Sequence, residues 1–291
     1  MLTAEQIKAV RKIHVRTSHL VSDLFAGQYH SAFKGQGMEF AEVRHYLPGD
    51  DVRAIDWNVT ARTGVPHMKR FVEERELTVM VLVDVSASTY FGTVSQLKSE
   101  MAAEMAALFA FSAITNNDKV GLVIFSDDVE LSLPPKKGTR HVLRVIREVL
   151  SFRARQSGTN IATALEHLGH VSKRRCVVFL ISDFLDPSAR LALKIANRRH
   201  DVIAVVLDDP REWSLPRIGL MEFQDAETGE HLVLDTSSQR VRQAFEQRAE
   251  DTRRERTRML RSVNVDTVSV RTDRSYTEAL LRFFRLRERR H

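Results

Sequence analysis

The sequence predicts an open, doubly wound α/β domain on a mostly parallel sheet. An N-terminal helix and an irregular segment precede it, and a hairpin–helix insertion interrupts it. Short apolar runs at 77–83, 120–125, 176–181 and 202–207 have the character of strands buried on both faces, and 265–270 offers a last strand. Segments with apolar residues at helical spacing alternate with them, as helices covering a parallel sheet do. The chain has 291 residues, 43% of them hydrophobic and 28% charged, enough to fill a core without disulfides or a structural metal.

Each element has its own local reason. Residues 4–25 place Ile7, Val10, Ile13, Leu20, Val21 and Leu24 near a 3.6-residue period, with Thr3 and Gln6 as a capping box. From 27 to 72 the chain is rich in Gly and turn signals, including Gly35-Gln-Gly37, Pro48-Gly49-Asp50-Asp51 and Thr63-Gly64, which predicts irregular or short-stranded structure. The run 77–83 ends in Asp84. A helix over 94–115 follows, with Leu97, Met101, Met105, Leu108 and Phe109 on one face and Thr93/Gln96 as capping box. After the strand 120–125 come a short edge at 131–133, a helix at 141–150 with Val142, Val145, Ile146 and Val149, and a helix at 161–168. The strand 176–181 leads to a helix capped by Asp186, opened by Pro187 and closed by Arg198 and Arg199. Beyond the strand 202–207, residues 210–261 form the insertion: strands 219–223 and 231–235 around Thr228-Gly229-Glu230, then a charged helix from Ser238. The strand 265–270 and a helix begun by Ser275/Glu278 and running through Phe283, Phe284 and Leu286 close the domain. The expected organisation is an N-terminal segment 1–76 and a domain 77–291 that carries the insertion.

Composition excludes several classes. The net charge of +6 concentrates in residues 240–291, which hold 15 Arg and no Lys against 8 acidic residues. Acidic residues alternate with these arginines as on solvated helices laced with i,i+4 pairs, and the aromatics Phe283 and Phe284 fall on an apolar face. Nucleic acid is therefore not an expected partner, while peripheral contact with an acidic membrane surface stays open. No apolar run approaches the roughly 18 residues of a membrane span, and the N-terminus lacks the apolar core of a secretory signal, so a cytoplasmic location is expected. The single Cys176 excludes an intrachain disulfide and a cysteine-based zinc cluster, and reads as a core thiol. A GxxxxGK[ST] phosphate loop is absent from the sequence.

In open α/β sheets ligands bind beyond the carboxyl ends of the strands. Three polar pieces fall there: Asp84-Val85-Ser86-Ala87-Ser88, Gly158-Thr159-Asn160 and Ser182-Asp183. Asp84, Ser86, Ser88, Thr159 and Asp183 form an all-oxygen donor set with two carboxylates, which suits Mg2+ or Mn2+ and not zinc or copper. Two carboxylates neutralise a divalent ion, neutral hydroxyls leave it electrophilic, and one position remains for an outside carboxylate. The pattern predicts a metal-bridged binding site without catalysis, since no strong general base accompanies it. The alternative is a Mg-dependent phosphatase or phosphotransferase using Asp84, whose strand-end loop resembles that of haloacid-dehalogenase-type enzymes, although position 86 is Ser where that chemistry wants Asp. His167 and His170 stand at i,i+3 on a helix but lack a third ligand. Arg44, Arg53, Asp56, Trp57 and Arg62 read as Arg–Asp pairing that holds the irregular segment together.

The three loops, in order and spacing, resemble the metal-ion-dependent adhesion site of von Willebrand factor type A (vWA) domains, over roughly 78–209 plus the last strand and helix. The resemblance implies that Ser86, Ser88 and Thr159 bind the metal, with Asp84 and Asp183 near it directly or through water. The motifs Gly37-Met-Glu-Phe40, Arg44-x-Tyr46-x-Pro48-Gly49-Asp50, Arg53-x-Ile55-Asp56-Trp57, Ala61-Arg62 and Glu227-Thr228-Gly229-Glu230 resemble the bacterial family called domain of unknown function 58, over nearly the whole chain. That likeness implies an adaptor working beside MoxR-type AAA+ ATPases and their clients, in assembling, activating or metallating protein complexes. Thr89 departs from the Met of many relatives, and the transmembrane helices that many relatives carry have no counterpart here.

Overall fold

The apolar runs become strands where β-branched residues predominate, and the longest amphipathic segments become the helices that cover them. The structure is a computed structural model that describes residues 26–33, 38–73, 76–92, 96–154, 157–186, 188–224 and 229–290. The helix expected at 4–25, Gly35 and Gly37, Thr93, Pro187, Glu227 and Thr228 lie outside the described residues. In chain order the elements are α1 (Ala26–Ala32), β1 (Met38–His45), α2 (Trp57–Thr63), β2 (His67–Glu73), β3 (Thr78–Asp84), α3 (Lys98–Thr115), β4 (Lys119–Phe125), β5 (Val129–Lys136) and α4 (Thr139–Ser151). They continue with α5 (Ile161–Val171), β6 (Val177–Ser182), α6 (Ala189–Arg199), β7 (Asp201–Asp208), β8 (Leu220–Gln224), β9 (His231–Asp235), α7 (Gln239–Ser262), β10 (Asp266–Arg271) and α8 (Thr277–Glu288).

Contacts divide the chain into two units, Phe33–Leu77 and a larger one that holds α1 and everything from Thr78 onward. In the smaller unit β1 and β2 pair antiparallel, and α2 is capped by the Asp56 carboxylate, which accepts from Asn58 N–H (3.0 Å) and Val59 N–H (3.3 Å). Gly64 ends α2 at φ 74°, the left-handed position glycine fills without strain. Arg44 pairs with Asp50 through two 2.7 Å bonds, while Trp57 is exposed. The expected Arg–Asp pairing is therefore present in this segment, at Asp50.

The larger unit is built on a six-stranded sheet in the order β10-β7-β6-β3-β4-β5. All neighbours are parallel except β4 and β5. The expected three-residue edge at 131–133 is an eight-residue strand, tolerated with Pro134 and Pro135 because an outer strand needs no donor on its open side. One face of the sheet, including Met80, Leu82, Phe125, Val178 and Leu180, packs with Ile161, Leu165, Leu168 and Leu193 of α5 and α6 and with Leu260 of α7. On the other face lies α3, whose Phe109 ring stacks on Phe179 at 3.8 Å. Nearly every residue from Met101 to Ala113 is buried, because α4 covers the helix from outside with Val142, Val145 and Ile146.

Asp186 makes the expected capping bond, its Oδ1 accepting from Ser188 N–H (2.8 Å) just before α6 begins at Ala189, and its Oδ2 also accepts from Ile161 N–H (3.2 Å) at the start of α5. One sequence expectation changes here: the arginine-rich end is not uniformly solvated. Arg254–Glu250 and Arg282–Glu278 are the expected i,i+4 surface pairs. Arg256 is half-buried and Arg287 buried, however, and Arg287 joins Asp201, Asp266 and the Ala32 carbonyl, which ties α8 to β7, β10 and α1. Of residues 210–261, β8 and β9 form a separate two-stranded sheet, whereas the end of α7 enters the core.

Candidate metal centre

The chain leaves β3 toward β4 on one side and returns at β6 on the other. The carboxyl ends of β3 and β6 therefore flank the point where the winding direction reverses, which is where a crevice opens in such sheets. Register places Val83 beside Ile181, so Asp84 ends β3 next to Ser182. Asp84 is 1% exposed and both carboxylate oxygens are engaged: Oδ1 accepts from Ser86 N–H (2.9 Å) and Oδ2 from Ser182 Oγ (2.6 Å). The first bond is an aspartate-driven turn that brings the serines round. Ser86 Oγ and Ser88 Oγ lie 3.1 Å apart, and Ser88 Oγ donates to Asp183 Oδ2 at 2.8 Å. Four of the five sequence-derived residues thus form one connected chain.

The loop that carries Thr159, the fifth, is tied by its backbone to the loops after β3 and β4. Ala87 N–H donates to Ser157 O (2.9 Å), Asn160 N–H to Ser126 O (2.8 Å) and Gly158 N–H to Asp127 Oδ2 (3.0 Å). The loop is close-packed at 158, where a Cβ would lie 2.2 Å from Asp127 Oδ1 and the carboxylate would have to move. Asn160 caps α5 by accepting from Thr163 N–H at 3.1 Å. On the third loop Phe184 is buried with φ 56°, a left-handed conformation that costs a non-glycine residue roughly 1–2 kcal/mol. Its N–H is held by Ser182 Oγ (3.1 Å), and the exposed Leu185 follows.

Sequence reasoning missed the cations. Lys98, in the first turn of α3, is fully buried, and its Nζ donates to Asp183 Oδ2 (3.0 Å) and to Glu212 Oε1 (2.5 Å). Arg256 donates from Nη1 to the Asp183 carbonyl (2.8 Å) and from Nη2 to Asp208 Oδ1 (2.8 Å). A signal for Lys98 existed: it precedes Met101 by three residues and Met105 by seven, on the stripe that faces inward. Nothing local distinguished Arg256 from its neighbours on α7.

Electrostatics follow from burial. Removal from water, reinforced by the Asp183 charge, pushes the Asp84 carboxyl up to about 6, with the bonds from Ser182 and Ser86 opposing. Burial also raises Glu212 against the pull of Lys98. Burial works to lower Lys98, but Asp183 and Glu212 together hold it above its ordinary value, so it stays an ammonium. Asp84, Asp183 and Glu212 against Lys98 leave two surplus negative charges when all are ionised, and Arg256 is matched by Asp208.

Other sequence candidates lie apart. His167 Nε2 meets Ser132 Oγ at 2.9 Å, and His170 Nδ1 meets its own helix at Glu166 O (3.2 Å). Cys176 is a buried free thiol beside His200 Nδ1 (3.2 Å), pushed up to about 11 by burial. Among the described residues no cluster of three or more His, Cys, Asp or Glu side chains forms a metal site. A cation in the crevice therefore depends on hydroxyls.

Fold and crevice define an α/β domain with a mostly parallel central sheet and polar loops converging at its switch point. Residues 42–255 match the family described as protein of unknown function DUF58, and the chain belongs to that family. An uncharacterized protein of Mycobacterium tuberculosis is 32% identical over 286 residues, covering 97% of this chain and 89% of the relative. Among solved structures, an aerotolerance-related membrane protein from Bacteroides fragilis superposes with a TM-score of 0.50 at 18% identity, covering 74% of this chain and 100% of that one. A von Willebrand factor type A protein from Catenulispora acidiphila matches with a TM-score of 0.42 at 10% identity, over 75% of this chain and 43% of that one. The cytoplasmic location expected from the sequence is corrected by the Bacteroides comparison. A protein described as a membrane protein carries this same fold over the full matched length, so short apolar runs inside the domain do not mark a cytoplasmic protein. No helix among the described residues is long and apolar enough to cross a membrane.

Proposed function

We propose that the crevice at the ends of β3 and β6 is an adhesion-type site: Ser86, Ser88, Thr159 and Asp183, backed by Asp84, hold Mg2+ or Mn2+ and through it an acidic side chain of a protein partner. The observation that carries this is the chain Ser86 Oγ, Ser88 Oγ, Asp183 Oδ2, with steps of 3.1 and 2.8 Å. Adjacent oxygens around an octahedral ion with bonds of about 2.1 Å stand about 3.0 Å apart, so both steps of this chain have the spacing of neighbouring ligands. The two surplus negative charges match a divalent ion, and Asp84, raised by burial and then by the Asp183 charge, would be relieved by a cation beside it. When bound, the ion supplies an electrophilic point that accepts an outside carboxylate oxygen.

The chain's own residues do the positioning. Asp84 orients Ser86 through its backbone N–H and is itself fixed by Ser182, while Ser88 reaches across to Asp183. Tyr90 and Phe91 beyond the serines and Leu185 beyond Asp183 are exposed apolar side chains on the same two loops, as suits a face that docks on protein. An adaptor role beside a MoxR-type AAA+ ATPase and its client fits a non-enzymatic site of this kind. The phosphatase alternative wants Asp84 as an accessible nucleophile, and its burial and double engagement oppose that. The test is a calorimetric titration of Mg2+ and Mn2+ into the full chain and into Ser86→Ala/Ser88→Ala, with circular dichroism to confirm folding. Saturable binding lost in the variant is expected, and superimposable isotherms would refute the site.

A further inference from the structure

We infer that Lys98 is a resident cation that shares Asp183 with the divalent ion and competes with it, so that this lysine sets the affinity of the site and Glu212 receives the ammonium when the ion binds. The inference rests on the metal reading above and deepens it. A lysine with no exposed surface is rare unless paired, and the first turn of a helix disfavours a cation because the aligned peptide dipoles are positive there. Lys98 persists in that place because two carboxylates converge on it.

The competition follows from lone pairs. Asp183 Oδ2 accepts from Ser88 Oγ at 2.8 Å and from Lys98 Nζ at 3.0 Å, which uses both lone-pair directions of that oxygen. Oδ2 is the oxygen that faces Ser88, whereas Oδ1 accepts from Leu185 N–H at 3.4 Å on its own loop. To ligate an ion beside Ser88, Oδ2 must release one donor. Ser88 can rotate its proton away and offer a lone pair of its own, remaining in the site as a ligand. An ammonium has no lone pair to offer, so Lys98 must withdraw. Its second anchor is already in place: Glu212 Oε1 lies 2.5 Å from Nζ, and Glu212 Oε2 accepts from Asp209 N–H at 3.0 Å. Glu212 belongs to the turn Pro210–Glu212 directly after β7, so occupancy of the crevice is sensed outside it, at that turn. A unit positive charge held about 4–5 Å from a divalent ion at an effective dielectric of about 20 would weaken the ion about 10⁵-fold; withdrawal of the ammonium toward Glu212 relieves most of this, and the expected net weakening is about 100-fold.

The experiment is calorimetric titration of Mn2+ into the full wild-type chain, Lys98→Met, Glu212→Gln and the double variant, each checked by circular dichroism. Lys98→Met is expected to bind Mn2+ about 100-fold tighter than wild type, and Glu212→Gln about tenfold weaker because the ammonium then has only Asp183 to balance it. In the double variant the Glu212→Gln effect should largely vanish, since no ammonium remains to be received. If Lys98→Met proves unfolded without Mn2+, Glu212→Gln carries the test alone, and unchanged affinity there overturns the proposal. Equal binding by wild type and Lys98→Met overturns the competition and leaves the metal site standing. Binding by Lys98→Met where wild type shows none supports it, with the lysine as the occupant. Binding by none of the folded proteins overturns both readings.

Discussion

Replacing Asp84 with Asn should stabilise the metal-free protein at neutral pH, although it removes a residue at the heart of the site. Burial, then repulsion from Asp183, raises this carboxyl from 3.8 to about 6. A group whose pKa is raised by folding adds stability that is fully present below the unfolded value and is lost as pH rises through the folded value. At about 1.4 kcal/mol per unit, ionised Asp84 therefore costs the metal-free fold about 3 kcal/mol above pH 6, with the loss falling between pH 4 and about 7. Asparagine has the same shape and is neutral: its Oδ1 keeps the bond from Ser86 N–H, and its amide can donate to Ser182 Oγ. Urea unfolding in EDTA at pH 5 and pH 7.5 measures the effect. The Asp84→Asn variant should gain on wild type by up to about 3 kcal/mol at pH 7.5 and by about half as much at pH 5, and Mg2+ should stabilise wild type more than the variant. A variant less stable than wild type at pH 7.5 in EDTA would show that the carboxylate's hydrogen bonds outweigh its desolvation, and the electrostatic account of the crevice would fall.

Other perturbations separate the scaffold from the site. Gly158→Ala drives a Cβ to 2.2 Å from Asp127 Oδ1, so it should displace that carboxylate, cost about 1–3 kcal/mol in denaturant melts and weaken Mn2+ binding by loosening the loop of Thr159. Arg287→Met leaves Asp201 and Asp266 without their shared guanidinium; because both acids are partly solvated, a loss of about 2–3 kcal/mol is expected, with metal affinity unchanged in titration. Leu260→Ala removes a buried contact between α7 and the sheet and should cost about 2–4 kcal/mol. The Cys176 thiol, held near 11 and buried, should resist a disulfide reagent at pH 8 in native protein and react at once in urea; fast native labelling would contradict its placement.

Much of the fold was legible because its signals are local. Continuous apolar runs ending in polar residues identified β3, β4, β6 and β7, and these strands and β10 lie within one or two residues of their expected bounds. The loops of Asp84, Ser86, Ser88 and Asp183 were legible for the same reason: strand ends in a parallel sheet point one way, so polar residues just past them gather at one edge. What went unread shares a cause. Asp186 has the spacing of a helix cap and accepts from Ser188 N–H, but its second oxygen is taken by α5, an element whose position no window around 186 encodes. Asp50 was not named as a partner of Arg44 because the chain's turn after β1 decides that the two meet.

The sequence by itself determined the class of architecture, the strands and the oxygen-rich set at their ends, because periodicity and strand-end chemistry act over a few residues. Only the tertiary structure decided which charges are buried together. Lys98, Glu212, Arg256 and Asp208 come from separate elements, and nothing in sequence, not even the inward stripe that carries Lys98, says which of them meet. The sheet order brings them behind Asp183, where exclusion of water turns commonplace charges into the field that governs the crevice.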